Sequence, residues 1–257
     1  MGDYLGDVTG VVYNAFGFYR VLPLTAISPL RNSTSDYPAV KFESEESCRG
    51  ITVANYNARN LDPESPYMEG IATQIVEKML TPDLIFLQEV QDDSGEANDG
   101  TVIGTVTLAT LVGRIEALSG VVYNYTEVVP ENNKDGGAPG GNIRNAYIYR
   151  PDVVELWNPN VGGANDKNLV LDGPSLKFNP GRIEPSSSAW DASRKPIAAA
   201  WKPAKGTGKP FFTINVHQTS KGGSSSIHGD PRPPINQGVA KRTQQATITG
   251  VSCSRLI

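Results

Sequence analysis

Pro82-Asp83-Leu84-Ile85-Phe86-Leu87-Gln88-Glu89-Val90 is the stretch on which the fold turns. Pro82 stops any helix arriving from upstream, and an unbroken apolar run follows. Such a run, of strand length and opened by a breaker, reads as a buried strand. It ends in Gln88 and Glu89. An ionisable carboxyl directly after an apolar run is poorly placed for packing, and the carboxyl ends of strands are where open α/β sheets receive ligands. Taken alone, Glu89 fits a solvated strand end equally well.

Outward from this run, Met68–Leu80 sets Ile71, Ile75, Val76 and Met79 at helical spacing, with Pro82 as the stop. Before it, Ile51–Tyr56 alternates and is β-branched at its start, the pattern of a strand. Beyond it, Thr105–Ser119 places Leu108, Leu111, Val112, Ile115 and Leu118 on one helical face, with Gly120 as the cap. Further strands are predicted at Val121–Val128, Asn145–Tyr149, Val153–Trp157, Ile197–Trp201 and Phe211–Val216, and a last helix at Val239–Thr249. Strands interleaved with helices predict an α/β layered domain. Between Trp157 and Lys195 lies a long stretch rich in Asn, Gly, Pro and Ser, well past the roughly 12–15 residues usual for a loop. It reads either as a surface excursion or as one wall of a cleft.

Composition narrows the class. The 257 residues hold 27 acidic and 23 basic side chains, a net charge of −4, which argues against gripping nucleic acid over the whole surface but not within a local cleft. Hydrophobic content of 39% argues against a disordered chain, and 26 glycines with 19 prolines argue for long ordered loops rather than a bundle. The longest uncharged, mostly apolar run is Thr101–Gly113, short of the roughly 18 residues a membrane helix needs. Met1-Gly2-Asp3-Tyr4 opens no basic-then-apolar leader and fails the myristoylation pattern. Cys48 and Cys253 can form at most one disulfide and no four-thiolate zinc site. The sequons at Asn32 and Asn124 matter only in a secreted protein. No stable protein partner is inferred, and the compartment stays open.

Four strand ends carry metal- or phosphate-compatible residues. Asn57 ends the first strand among clustered amides, and an amide oxygen beside the Glu89 carboxylate is a hard-ligand pair suited to Mg²⁺, which keeps several waters. Gly140-Gly141-Asn142-Ile143-Arg144 sets an arginine at a strand mouth, where a bidentate phosphate contact is easy. Phe211–His217 ends another strand in His217, followed by Ser220-Lys221-Gly222-Gly223, where a lysine and paired glycines suit an anion-facing loop. Each alone has a bland reading: Asn57 as a turn former, His217 as a structural histidine. Together they point to a divalent-metal phosphodiesterase.

The motifs Val53–Leu61, Pro82–Val90, Gly140–Asp152 and Ile214–Gly223, in this order and spacing, resemble the endonuclease/exonuclease/phosphatase superfamily, the deoxyribonuclease I-like group. Asn179-Pro-Gly-Arg-Ile183, Ser193-Arg-Lys-Pro196 and the His228-Gly-Asp-Pro, Lys241-Arg242 and Gln245-Ala246 segments resemble its extracellular-nuclease-like branch. The resemblance implies a four-layer α/β sandwich that hydrolyses phosphodiester bonds in DNA or RNA with Mg²⁺, or Mn²⁺ or Ca²⁺. By position, Asn57 and Glu89 are its metal ligands and, with His217, its catalytic residues; His217 hydrogen-bonds a phosphoryl oxygen as charge builds. Arg144, Asn142 and Lys221 are its phosphate contacts.

The chain departs from the family in two places. No Asp-x-Asn follows Gly250, and no terminal Ser-Asp-His supplies a general base, worth roughly 10²–10⁴ in rate. Thr9–Pro23 resembles the closing strands of a small β-module that precedes the nuclease domain in this branch. The expectation is therefore a chain truncated at both ends: residues 1–47 a remnant of that module or a linker, and residues 48–257 the nuclease domain, cut before its last catalytic motifs. Members of the branch are often exported, so a secreted full-length parent is expected. The alternatives are a catalytically dead phosphate- or nucleic-acid-binding fragment, and the same fold acting on a phospholipid or a phosphomonoester.

Overall fold

A computed structural model describes residues 3–15, 17–31, 37–46, 50–172, 175–227 and 229–254. These form two units, Met1–Pro38 with Ser220–Ala240, and Ala39–Thr219 with Lys241–Ile257. The first boundary falls after Pro38, earlier than the expected break at 47, and the Gly/Ser/Pro-rich stretch after Thr219 joins the amino-terminal unit. In that unit β1 (Gly10–Ala15) and β2 (Phe18–Pro23) pair antiparallel, with Ala15 opposite Phe18 and a left-handed Gly17 at the turn. Both strands are largely exposed.

The second unit carries two four-stranded sheets. β3 (Val53–Leu61) is followed by the short helix α1 (Met68–Thr73), which runs into a π-helical turn over Gln74–Lys78, so the helix expected over Met68–Leu80 is not regular throughout. Then come β4 (Leu84–Val90), α2 (Thr105–Ser119), β5 (Asn124–Glu127) and β6 (Arg144–Tyr149). α2 keeps the boundaries its periodicity predicts, and its cap Gly120 sits at φ +74°, where a residue with a Cβ is disfavoured. The first sheet has the order β3-β4-β6-β5, with β3 and β4 parallel and the other neighbours antiparallel. The register of β3 on β4 is held at its start by Asp83, whose carboxylate accepts from the Thr52 amide at 2.8 Å and hydroxyl at 2.7 Å.

β7 (Val154–Leu156), the short pair β8 (Val170–Leu171) and β9 (Ser175–Leu176), and β10 (Gly181–Arg182) lead to β11 (Ile197–Pro203) and β12 (Phe211–Asn215). β11 is the spine of the second sheet, pairing antiparallel with β12 along one edge and with β10 and then β7 along the other. The excursion between Trp157 and Lys195 is thus built in. Asn179 is buried; its side chain donates to the carbonyls of Trp157 at 2.6 Å and Ala200 at 2.8 Å and accepts from the Ala200 amide. Arg182 places its Nη2 2.6 Å from the buried Asp135, which also holds Lys195 at 2.9 Å. α3 (Val239–Ser254) belongs from Lys241 onward to this unit.

Strand alternation explains why Leu84–Leu87 is apolar without a break. Ile85 and Leu87, with Ala146 and Ile148 of β6, face α1 and α2 and join Ile71, Ile75, Leu108, Leu111 and Ile115 in one core. Leu84 and Phe86, with Tyr147 and Tyr149, face the second sheet and meet Ile197, Ala199, Trp201 and Phe211 in another. The rings there pack edge to face, with Phe86–Tyr147 at 5.1 Å and Tyr147–Trp201 at 5.4 Å between centroids. The unit is a mixed α/β stack in which helices cover the outer face of one sheet and the second sheet covers its inner face. Among the described residues no helix is long and apolar enough to cross a membrane.

Candidate functional site

The alternation of β4 breaks at Glu89. Gln88 points toward the second sheet like Phe86, yet Val90, which should follow it, lies in the helix-side core. The register against β6 shifts between Leu87 and Val90, and against β3 between Asn57 and Leu61. One extra residue in a strand swaps the faces of everything after it. Glu89 is that residue. It sits at φ +57°, and across from it Arg59 and Asn60 of β3 are also left-handed at +53° and +56°. The left-handed region costs an L-residue about 1–2 kcal/mol, and such outliers cluster at functional sites.

The interrupted ladder leaves the carbonyls of the cross-strand pair Leu87 and Ala146 to be satisfied otherwise. Asn215, the last residue of β12, donates to both at 2.9 Å. Its amide oxygen accepts from Gln88 Nε2 at 2.7 Å, and Gln88 also donates to Asn55 at 2.8 Å. These buried bonds dock the end of β12 against the bulge of β4. Two residues on, His217 therefore stands over Glu89, with Nε2 3.4 Å from Oε1 and both side chains about a fifth exposed (17% and 25%).

Burial lowers the pKa of His217, the positive charge of Arg194 lowers it further, and Glu89 opposes both. The lowered pKa favours the uncharged imidazole at neutral pH, so the 3.4 Å approach is a close contact rather than an ion pair. Asn57 shares an open recess of about 580 Å³ with His217, together with Asn55, Gln88, Gln218 and Cys253. Asn57 Oδ1 accepts from the Arg59 amide at 2.9 Å, closing the left-handed turn beside Glu89 and leaving one lone pair.

The two predicted cluster residues on the β6 side are placed differently. Arg144 is 1% exposed, with Nη1 on Glu127 at 2.6 Å and Nη2 on the Asn142 carbonyl at 3.0 Å. Glu127 in turn accepts from the Gly104 amide at the start of α2 at 3.2 Å. Arg144 thus ties β6, β5 and α2 together inside the protein and is not available to a phosphate. Asn142 is buried as well, donating to Asp92 at 2.9 Å and Thr101 at 2.8 Å while accepting from the Asn133 amide at 2.7 Å. It fastens its glycine loop. Both side chains, expected as phosphate contacts, are buried and bonded to partners remote in sequence. Lys221 lies exposed in the other unit, its carbonyl accepting from the Ser224 amide at 3.0 Å. His228, Cys48 and the Asn32 sequon lie outside the described residues.

A different arginine stands near the carboxylate. Arg194 is 8% exposed, donates to the Gln218 carbonyl at 3.3 Å, and has a buried Nε with no partner. Its charge acts on both Glu89 and His217. The Ser193-Arg-Lys-Pro196 motif immediately before β11 was the available signal, since the loop between β10 and β11 opens at the same end of the stack as β4 and β12.

The donors fit a hard cation sparingly. Glu89 offers a carboxylate and Asn57 an amide oxygen; among the described residues no three of His, Cys, Asp and Glu gather. Mg²⁺, which keeps most of its waters, is compatible with such a pair. No protein-family model matches this chain, and no curated protein matches it.

Proposed function

We propose that the Ala39–Thr219 and Lys241–Ile257 unit is a divalent-cation-dependent phosphodiesterase acting on nucleic acid, with the four-layer deoxyribonuclease I-like sandwich as its architecture. The observation that carries this reading is the left-handed Glu89 facing the neutral His217 at 3.4 Å, with the Arg194 charge beside them. Glu89 and Asn57 would hold the cation, which when bound polarises a phosphoryl oxygen. His217, uncharged and with an N–H to give, would donate to a phosphoryl oxygen as negative charge grows there. Arg194 takes the cationic part that the resemblance assigned to Arg144.

A second reading, phosphate binding without turnover, is favoured by the sparse donor set. The test is nicking of supercoiled plasmid by the purified chain in Mg²⁺, beside an EDTA control and Glu89→Ala. Multiple turnover lost in both controls supports hydrolysis. Binding of a short oligonucleotide without any turnover supports the second reading, and full activity of Glu89→Ala refutes the site.

A further inference from the structure

α3 is an amphipathic-looking helix whose attachment is not apolar: among its described residues the one that is buried is Gln245, at 0% exposure. Its amide is used on every side. Oε1 accepts from the Thr219 amide at 2.9 Å, while Nε2 donates to the Ala189 carbonyl at 2.8 Å, Thr219 Oγ1 at 2.9 Å and Ser193 Oγ at 3.1 Å. An N–H on one end and a carbonyl on the other leave a single orientation for the amide.

Ser193 and Thr219 belong to the two loops that carry the charged face of the site. Ser193 precedes Arg194, and Thr219 is two residues after His217. The loops touch each other through Ser193 Oγ and Thr219 Oγ1 at 3.5 Å and through Arg194 on the Gln218 carbonyl. Arg242, one turn before Gln245, adds a bond to the Thr219 carbonyl at 3.4 Å. The two loops are therefore held together by these direct contacts and by Gln245, a side chain of a later helix that bonds to both of them.

We propose that Gln245 is a positioning residue that clamps the Ser193–Arg194 loop to the His217–Thr219 loop and so fixes Arg194 and His217 relative to Glu89. This rests on the phosphodiesterase reading of the same site. An otherwise exposed helix docked by an amide rather than an apolar stripe is directional: hydrogen bonds specify where the loops stand, whereas apolar burial is non-directional.

The test compares Gln245→Ala with Asn179→Ala in the full chain. Asn179 is a comparably buried amide with three backbone bonds where Gln245 has two to backbone and two to side chains, but it serves β11 and the residue after β7. Both variants are expected to lose comparable thermal stability. Only Gln245→Ala is expected to lower kcat on a short duplex, about tenfold or more per folded molecule, with a smaller change in KM. Gln245→Glu keeps the size and the acceptor for the Thr219 amide but not the donors; it serves if the alanine variant does not fold, and its kcat is expected to fall too.

Equal kcat in the Gln245 and Asn179 variants overturns the proposal. If Glu89→Ala shows that hydrolysis lies elsewhere, the clamp is judged by amide hydrogen exchange and side-chain NMR signals. Faster exchange at Thr219 and displaced His217 and Arg194 signals in the Gln245 variants alone support it. Unchanged signals overturn it.

Discussion

Replacing Glu89 by glycine and by alanine removes the same carboxylate but treats the backbone differently. At φ +57° the alanine Cβ keeps the strain of the left-handed region, about 1–2 kcal/mol, and glycine loses it. Glycine also gains freedom in the unfolded chain, which costs about 0.5–1 kcal/mol relative to alanine. The difference leaves Glu89→Gly more stable than Glu89→Ala by up to about 1.5 kcal/mol, with about 0.7 kcal/mol as the centre of that range. In a regular strand the order is reversed, so the sign is diagnostic. For a unit of this size 1 kcal/mol moves Tm by about 2–4 °C, well within reach of a thermal scan supported by urea unfolding. Neither variant is expected to nick plasmid. An alanine variant as stable as the glycine one, or more so, would refute the argument that the bulge forces residue 89 into a costly conformation to aim its carboxylate.

Arg144→Met leaves Glu127 nearly buried with only the Gly104 amide, and is expected to cost about 3–5 kcal/mol in chemical denaturation, because breaking such a pair strands a charge. The Arg144→Met, Glu127→Met double variant should cost less than the sum; strict additivity would show that the pair is not coupled. Arg194→Gln is expected to lower kcat/KM by about 10- to 100-fold, the worth of a charged hydrogen bond, with less loss of stability than Arg144→Met. Undiminished nicking by Arg194→Gln would remove that arginine from the site.

Much of the layered core was legible along the chain. The unbroken apolar run Leu84–Leu87 announced a buried strand, and the structure covers it on both faces because pleating sends neighbours to opposite sides. α2 and its Gly120 cap were equally plain, since the spacing of Leu108, Leu111 and Ile115 and the left-handed cap are properties of adjacent residues. Glu89 and His217 were found as strand-end residues, and the folded chain brings them to 3.4 Å.

The choice between arginines was not legible. Arg144 and Arg194 both open an inner strand after a polar loop, and their guanidinium groups are chemically the same. What separates them is the Glu127 carboxylate across an antiparallel pair in one case and the uncharged Gln218 carbonyl in the other. Nor could periodicity reveal that the exposed-looking α3 docks through Gln245, or that Asn215 closes the ladder that Glu89 opens. Helix and strand follow from the residues on either side of a position, because backbone geometry repeats over a few residues. Whether a charge is neutralised or left facing a cleft depends on which distant side chain the topology sets against it, and only the folded chain decides that.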